Sequence, residues 1–313
     1  MILSIRSGRV LPGVAVLAVL ATAGCEADRE PPRGAPGDQL SVVATTMQVQ
    51  DFARQVGGNR VRVTPILGPD AEPHEYEPTP SDADAMSEAE AVIANGANLD
   101  DWLDDLLDQA GADAIRADAV DGITLLPTEE HGFPGDPHVW HDPELAKRMV
   151  DNVAAGLGRA DPPGGDTYRR NAESYKARID WMAATIRREL APVPPERRNL
   201  VTSHDAFGYF ARAYDVNVVG SVLPTVTTDA EPSAQQVRRL VDEIRRNDVG
   251  AIFTEEAVEP RLERRVAEEA GARVSTSLYA DALGPPGSDG ATFIGAELAN
   301  ARAMRASWQD PQR

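Results

Sequence analysis

The sequence predicts an α/β protein of two βα-repeating lobes with parallel sheets, joined by one long rigid connecting helix, with a ligand cleft between the lobes. Three observations predict it. Short runs rich in β-branched residues alternate with helix-like runs in both halves of the chain, the pattern of parallel sheets. Residues 166–191 contain no Gly or Pro and carry apolar groups at Tyr168, Ala172, Tyr175, Ile179, Met182 and Ile186, the spacing of one long helix. PPGG precedes that stretch and Pro192, Pro194 and Pro195 follow it, so it stands as a single connector between the alternating halves.

In order, LSVVATT (40–46) is a β-type run, VQDFARQVGG a helix and RVRVTPIL a second strand. A helix is expected from Ser81, a suitable N-cap, through Glu88, followed by a strand at AVIANGA and an amphipathic helix at LDDWLDDLLDQA. An extended ITLLP leads into residues 127–142, which Pro127, Gly132, Pro134, Gly135 and Pro137 mark as a loop, and a helix starts near Pro143. Beyond the connector the strands are RNLVTSH, VNVVGSVL, AIFTEE and ARVSTSL. They alternate with helices at DAFGYFARAY, SAQQVRRLVDEIRRN and PRLERRVAEEAG, and a closing helix runs from about Ala291. The expected division is a leader at 1–24, a tether at 25–38, an N-terminal lobe at 39–163, the connecting helix at 164–192 and a C-terminal lobe at 193–313.

The N-terminus has the three parts of a secretory signal: Arg6 and Arg9, an apolar stretch from Val10 to Ala23, and the small residues Thr22-Ala23-Gly24. The apolar stretch is too short, and too interrupted by Pro12 and Gly13, to span a bilayer. Cys25 follows directly and resembles the lipidated cysteine of a bacterial lipoprotein, with residues 26–38, rich in Pro, Gly and charge, as a flexible tether to the membrane. It is the only cysteine, which excludes an internal disulfide. Loss of residues 1–24 removes two arginines and no acid, taking the formal charge from −19 to −21. Such a surface repels nucleic acid and attracts cations.

Four separate segments each present one metal-binding side chain beside turn-forming residues: His74 in HEYEPTPSD, His138 in DPHVWHDP, His204 in TSHDAFGYF and Asp281 in LYADALG. Three imidazoles and a carboxylate can complete the coordination of a divalent ion. His204 follows the strand LVTS, Asp281 follows VSTSL, His138 lies in the loop after ITLLP, and His74 follows VTPIL through a loop with Gly68, Pro69 and Pro73. Sites in open α/β sheets form at the carboxyl ends of strands, so two ligands from each lobe place an ion in the cleft. Glu255, at the end of AIFTE, is placed either to hold a ligand histidine by its second nitrogen or as a surface acid. Glu72, Glu75 and Glu77 read mainly as solvated acids that concentrate cations, with Glu75 or Glu77 as lesser candidates for orienting an imidazole. Trp102, Trp140 and Trp181 read as packing groups. No HExxH helix, and no Gly-rich phosphate loop, points to hydrolysis or nucleotide binding.

With these residues in place the chain resembles the metal-binding lipoproteins that serve as substrate-binding components of zinc and manganese ABC importers. The resemblance runs from about Leu40 to the C-terminal helix, through GPDAEPHEYEPTPSD, GANLDDWLDDLL, DPHVWHDP, SHDAFGYFARAYDV and LYADALGPPGSDGATFIG in that order. It implies the ligand set His74, His138, His204 and Asp281, a two-lobe fold on a rigid helix, and delivery to a membrane permease driven by a separate ATPase subunit. Two departures stand out. The His-rich loop of many zinc-specific relatives is reduced to PTEEHGFPGDPH with the single extra His131, and His141 stands where the family usually has an apolar or amide residue. His141 is expected to be a surface histidine, with a transient loading ligand as the alternative.

The expected function is therefore a monomeric extracytoplasmic Zn²⁺ receptor, lipid-anchored at Cys25 or periplasmic, with no nucleic-acid partner and no enzymatic activity. Three nitrogen donors favour zinc over manganese, which is usually given more oxygen. A manganese or iron receptor on the same scaffold is the first alternative. A zinc-dependent hydrolase, which needs an open coordination position, is the more distant one.

Overall fold

The computed structural model describes residues 39–309 except 70, 229, 230 and 257. The leader, Cys25 and the tether lie outside the described residues. In the N-terminal lobe β1 (Leu40–Ala44), β2 (Val61–Pro65), β3 (Ala91–Ala94) and β4 (Ile115–Asp118) form one parallel sheet in the order β2-β1-β3-β4. Central β1 and β3, LSVVA and AVIA, are buried along their whole length, as strands covered on both faces must be.

The helices of this lobe are α1 (Met47–Gly57), α2 (Pro80–Ser87), α3 (Leu103–Ala110) and α4 (Pro143–Ala160). Thr79 rather than Ser81 caps α2, in a capping box with Asp82. Asp142 caps α4 by accepting from the backbone N–H groups of Glu144 and Leu145, and Pro143 occupies the first helical position. Helix α4 packs so closely on β4 that a Cβ on Gly156 would lie 2.4 Å from that of Ala117. ITLLP makes no ladder, and β4 instead lies upstream at IRAD. Arg116 and Asp118 conceal this edge strand in the sequence, because they pair with each other and Arg116 also pairs with Asp104.

The connector α5 (Gly165–Leu190) contains all six apolar positions expected of it, buried, together with Ala183 and Leu190. Trp181 is an exception to the packing role expected of it, since it is 56% exposed on this helix. The C-terminal lobe follows with β5 (Asn199–Thr202), α6 (Gly208–Tyr214), β6 (Asn217–Ser221), α7 (Ala234–Arg246), β7 (Ala251–Ile252), α8 (Arg261–Ala270), β8 (Arg273–Val274) and α9 (Phe293–Gln309). Parallel pairs β5-β6 and β7-β8 are joined where Phe253 N donates to Val201 O at 2.9 Å, so β6-β5-β7-β8 repeats the strand order of the first lobe.

One apolar core runs through both lobes along α5 and α9, from Leu40 and Phe52 through Ile179 to Leu200 and Trp308. Polar ties reinforce it: Asp51 of α1 accepts from the Tyr175 hydroxyl of α5 at 2.8 Å and from Phe293 N of α9 at 3.1 Å. Ile179→Ala should therefore destabilise the protein by about 2–5 kcal/mol in denaturant unfolding, through lost burial and a residual cavity. Trp181→Ala should change it by no more than about 0.5 kcal/mol.

Candidate metal centre

All four proposed ligands leave the carboxyl ends of strands. His74 sits in a short 3₁₀ turn, Pro73–Glu75, after β2, and its backbone N–H donates to the Glu72 carboxylate at 3.2 Å. His138 opens the 3₁₀ turn Val139–His141 that runs into the Asp142 cap of α4. His204 is two residues past β5, and Asp281 follows β8 and the Glu255–Leu278 bridge. The structure brings these four together: one ligand atom of each lies within 4.8 Å of all the others. Their side chains are at most 4% exposed, so any ion they hold is stripped of bulk water.

His138 Nε2 lies 3.3 Å from both His74 Nε2 and His204 Nε2. Asp281 Oδ1 is 3.2 Å from His138 Nε2, and Oδ2 is 3.1 Å from His204 Nε2 and 3.6 Å from His74 Nε2. A zinc ion at ~2.0–2.1 Å from four donors requires donor–donor edges of about 3.3–3.4 Å in a tetrahedron; the two imidazole edges through His138 meet this, while the Asp281 distances divide between its two oxygens. Neither oxygen of Asp281 meets a hydrogen-bond donor of adequate geometry, which leaves both available to a cation.

Two carboxylates face the far side of the rings. His138 Nδ1 is 2.7 Å from Asp136 Oδ1, and His204 Nδ1 bonds Glu255 Oε2 while Glu255 Oε1 accepts from Ser203 N and His204 N. A proton kept on Nδ1 by each carboxylate leaves the Nε2 lone pair directed at the cluster, the tautomer a metal ligand needs. Glu255 thus takes the orienting position rather than that of a surface acid. Asp136 was not singled out in the sequence, although its place two residues before His138 was a visible signal. Tyr209 of α6, also unanticipated, steadies this loop by donating to Asp136 O and accepting from Leu126 N, both at 2.8 Å. Glu75 and Glu77 are exposed, in agreement with solvated acids, whereas Glu72 is partly buried.

His141 is buried, not on the surface. It stacks on Phe207 at 4.6 Å and bonds Glu297 of α9 through Nδ1 at 2.7 Å, outside the four-residue cluster. Trp140 is buried beside the His138 ring and Trp102 packs against Tyr76, in the packing roles expected of them. His131 is exposed.

Burial lowers His74 below its ordinary value. Burial also opposes protonation of His138, but Asp281 and then Asp136 outweigh it and raise that histidine to about 9. Burial likewise opposes protonation of His204, and Glu255 and Asp281 hold it well above the usual range. Asp281 is disfavoured as an anion by burial, yet His138 and His204 keep it well below the usual carboxylate range. Burial, and then Asp281, push the Glu72 carboxyl up to about 8. The cluster therefore holds protons that a metal must displace.

Two βα lobes joined by a long helix, with a buried nitrogen and oxygen donor cluster between them, define a protein able to hold a divalent metal ion. Residues 42–307 match the family described as zinc-uptake complex component A, periplasmic, and the chain belongs to that family. The manganese-binding lipoprotein MntA of Bacillus subtilis (strain 168) is 34% identical over 294 residues, 91% of this chain and 94% of that one. The iron-binding protein YfeA of Yersinia pestis is 34% identical over 247 residues, 78% of each. Among solved structures, the periplasmic zinc-binding protein TroA from Treponema pallidum superposes with a TM-score of 0.79 at 26% identity, covering 86% of this chain and 99% of that one. These matches agree with the fold and family expected from the sequence.

Glu255→Gln should weaken metal binding by about 10–100-fold, since it removes the carboxylate that orients His204. Because His138 carries its proton up to about pH 9, apparent metal affinity should rise with pH toward that value and fall by about tenfold or more per unit as pH drops from 8 to 6. Calorimetry in buffers of different ionisation enthalpy counts the released protons. An affinity constant across that range would contradict the assignment.

Proposed function

We propose that the chain is the extracytoplasmic receptor that captures Zn²⁺ through His74, His138, His204 and Asp281 and delivers it to an ABC permease served by a separate ATPase subunit. The supporting observation is the convergence of three imidazole Nε2 atoms and one carboxylate at 3.1–3.6 Å in a buried cleft. Nitrogen-rich tetrahedral coordination suits zinc, and four protein ligands leave no position for a reactive water. A lipid anchor at Cys25, a monomeric state and lobes bounded at 39–163 and 193–313 around a connecting segment at 164–192 belong to the same proposal.

Release takes place by loosening of the loops that carry His74, His138 and Asp281. The core common to both lobes supports this route, because a wide hinge motion would have to break it. No helix among the described residues is long and apolar enough to cross a membrane.

A second reading, manganese or iron as the cargo, is favoured by the two donor-free oxygens of Asp281 and by relatives named for those metals. The metal content of protein purified from its native envelope without added metal separates the readings, whereas titration alone does not, since zinc outcompetes manganese and iron at N/O sites whatever their cargo. Zinc should be recovered at one equivalent, and manganese or iron in its place would support the second reading. His204→Ala should lose most zinc affinity, and retention of the parental affinity would refute the ligand set.

A further inference from the structure

Asp281 and His74 are the two proposed ligands whose side chains no group outside the cluster orients. His138 and His204 are each aligned by a carboxylate on the opposite ring nitrogen, whereas His74 Nδ1 and both oxygens of Asp281 lack a hydrogen-bond partner of adequate geometry. The position of the Asp281 carboxylate must then come from its backbone. That backbone is held from the other lobe.

Gln48, in the first turn of α1 in the N-terminal lobe, is buried and donates through Nε2 to the carbonyls of Ala280 at 3.3 Å and Asp281 at 3.0 Å. Two carbonyl oxygens can be satisfied only by the amide NH₂, which fixes the orientation of this side chain. Next to it, Met47 Sδ accepts from Leu283 N at 3.3 Å, and Met47 packs on Ala282, Leu283 and Ala296. One turn of α1 therefore pins residues 280–283 across the cleft. The Gln48 Oε1 atom has no partner, so the side chain is held on its donor side alone.

We propose that Gln48 is a positioning residue for Asp281 and sets the lifetime of the bound ion. This inference rests on the ligand set of the preceding section. Loss of the two bonds frees the Asp281 carbonyl segment to move away from the three imidazoles, and the only anionic ligand leaves with it. Because the bonds join the two lobes, the same contact couples closure of the cleft to completion of the coordination sphere. Removal of the donor also leaves two buried carbonyls unpaired, which favours the open position of the loop.

The test uses the full chain and Zn²⁺ alone, with release followed by stopped-flow transfer to a chromogenic chelator. Gln48→Met, which keeps the volume and removes the donor, should speed release and weaken affinity by about 10–100-fold. Gln48→Glu, which replaces the NH₂ with an acceptor at constant shape, should act in the same direction. In an Asp281→Ala background Gln48→Met should have no further effect, because the residue acts through Asp281. Unchanged release in both Gln48 variants, or an equal acceleration in the Asp281→Ala background, would overturn the proposal. Parental zinc affinity in Asp281→Ala itself would instead overturn the ligand set.

Discussion

A buried anionic side chain surrounded by imidazole nitrogens cannot be left uncompensated, and the rest of the site is arranged around that constraint. Asp281, Asp136 and Glu255 bring three carboxylates to a region where the ligand side chains are at most 4% exposed. Either protons on His138 and His204 or a divalent cation can balance them. The two options compete for the same Nε2 lone pairs, so ion capture is an exchange of protons for metal. Carboxylates at Nδ1 make this exchange productive: they keep one proton on the far side of each ring and direct the other nitrogen at the ion.

The scaffold explains how donors from four loops are held to this geometry. His74 and His138 come from strand ends of one sheet and His204 and Asp281 from strand ends of a second sheet with the same strand order. Helices α5 and α9 carry a single core beneath both, and Asp51 and the His141–Glu297 pair tie the N-terminal lobe to α9. Under the proposed release route, contacts that span the cleft, such as Gln48 on the Asp281 segment, are the ones made and broken as the loops close and open.

Much of this was legible in the sequence, for identifiable reasons. The connector announces itself through 26 residues without Gly or Pro and an apolar stripe, all of which is buried. The four ligand positions are readable because each stands alone among turn formers after a β-type run. What was missed depends on contacts between distant segments. The β4 edge strand is hidden by Arg116 and Asp118, whose pairing satisfies charges that argue against a strand. His141 looks like a surface residue until Phe207 and Glu297, 66 and 156 positions away, enclose it. Gln48 and Tyr209 carry no local signal, because their partners lie 233 and 73 residues off. Trp181 shows the converse: a large apolar residue on a buried helix that faces solvent.

The central claim is that one ion takes three imidazoles and a carboxylate, two donors from each lobe, with no place left for water. X-ray absorption at the zinc edge of the metal-loaded protein tests it directly. Multiple scattering from three imidazole rings, with all nearest donors at about 2.0–2.1 Å and a coordination number of four, or five if both Asp281 oxygens bind, is the predicted result. Two or fewer imidazoles, or a bound water in the coordination sphere, would contradict it.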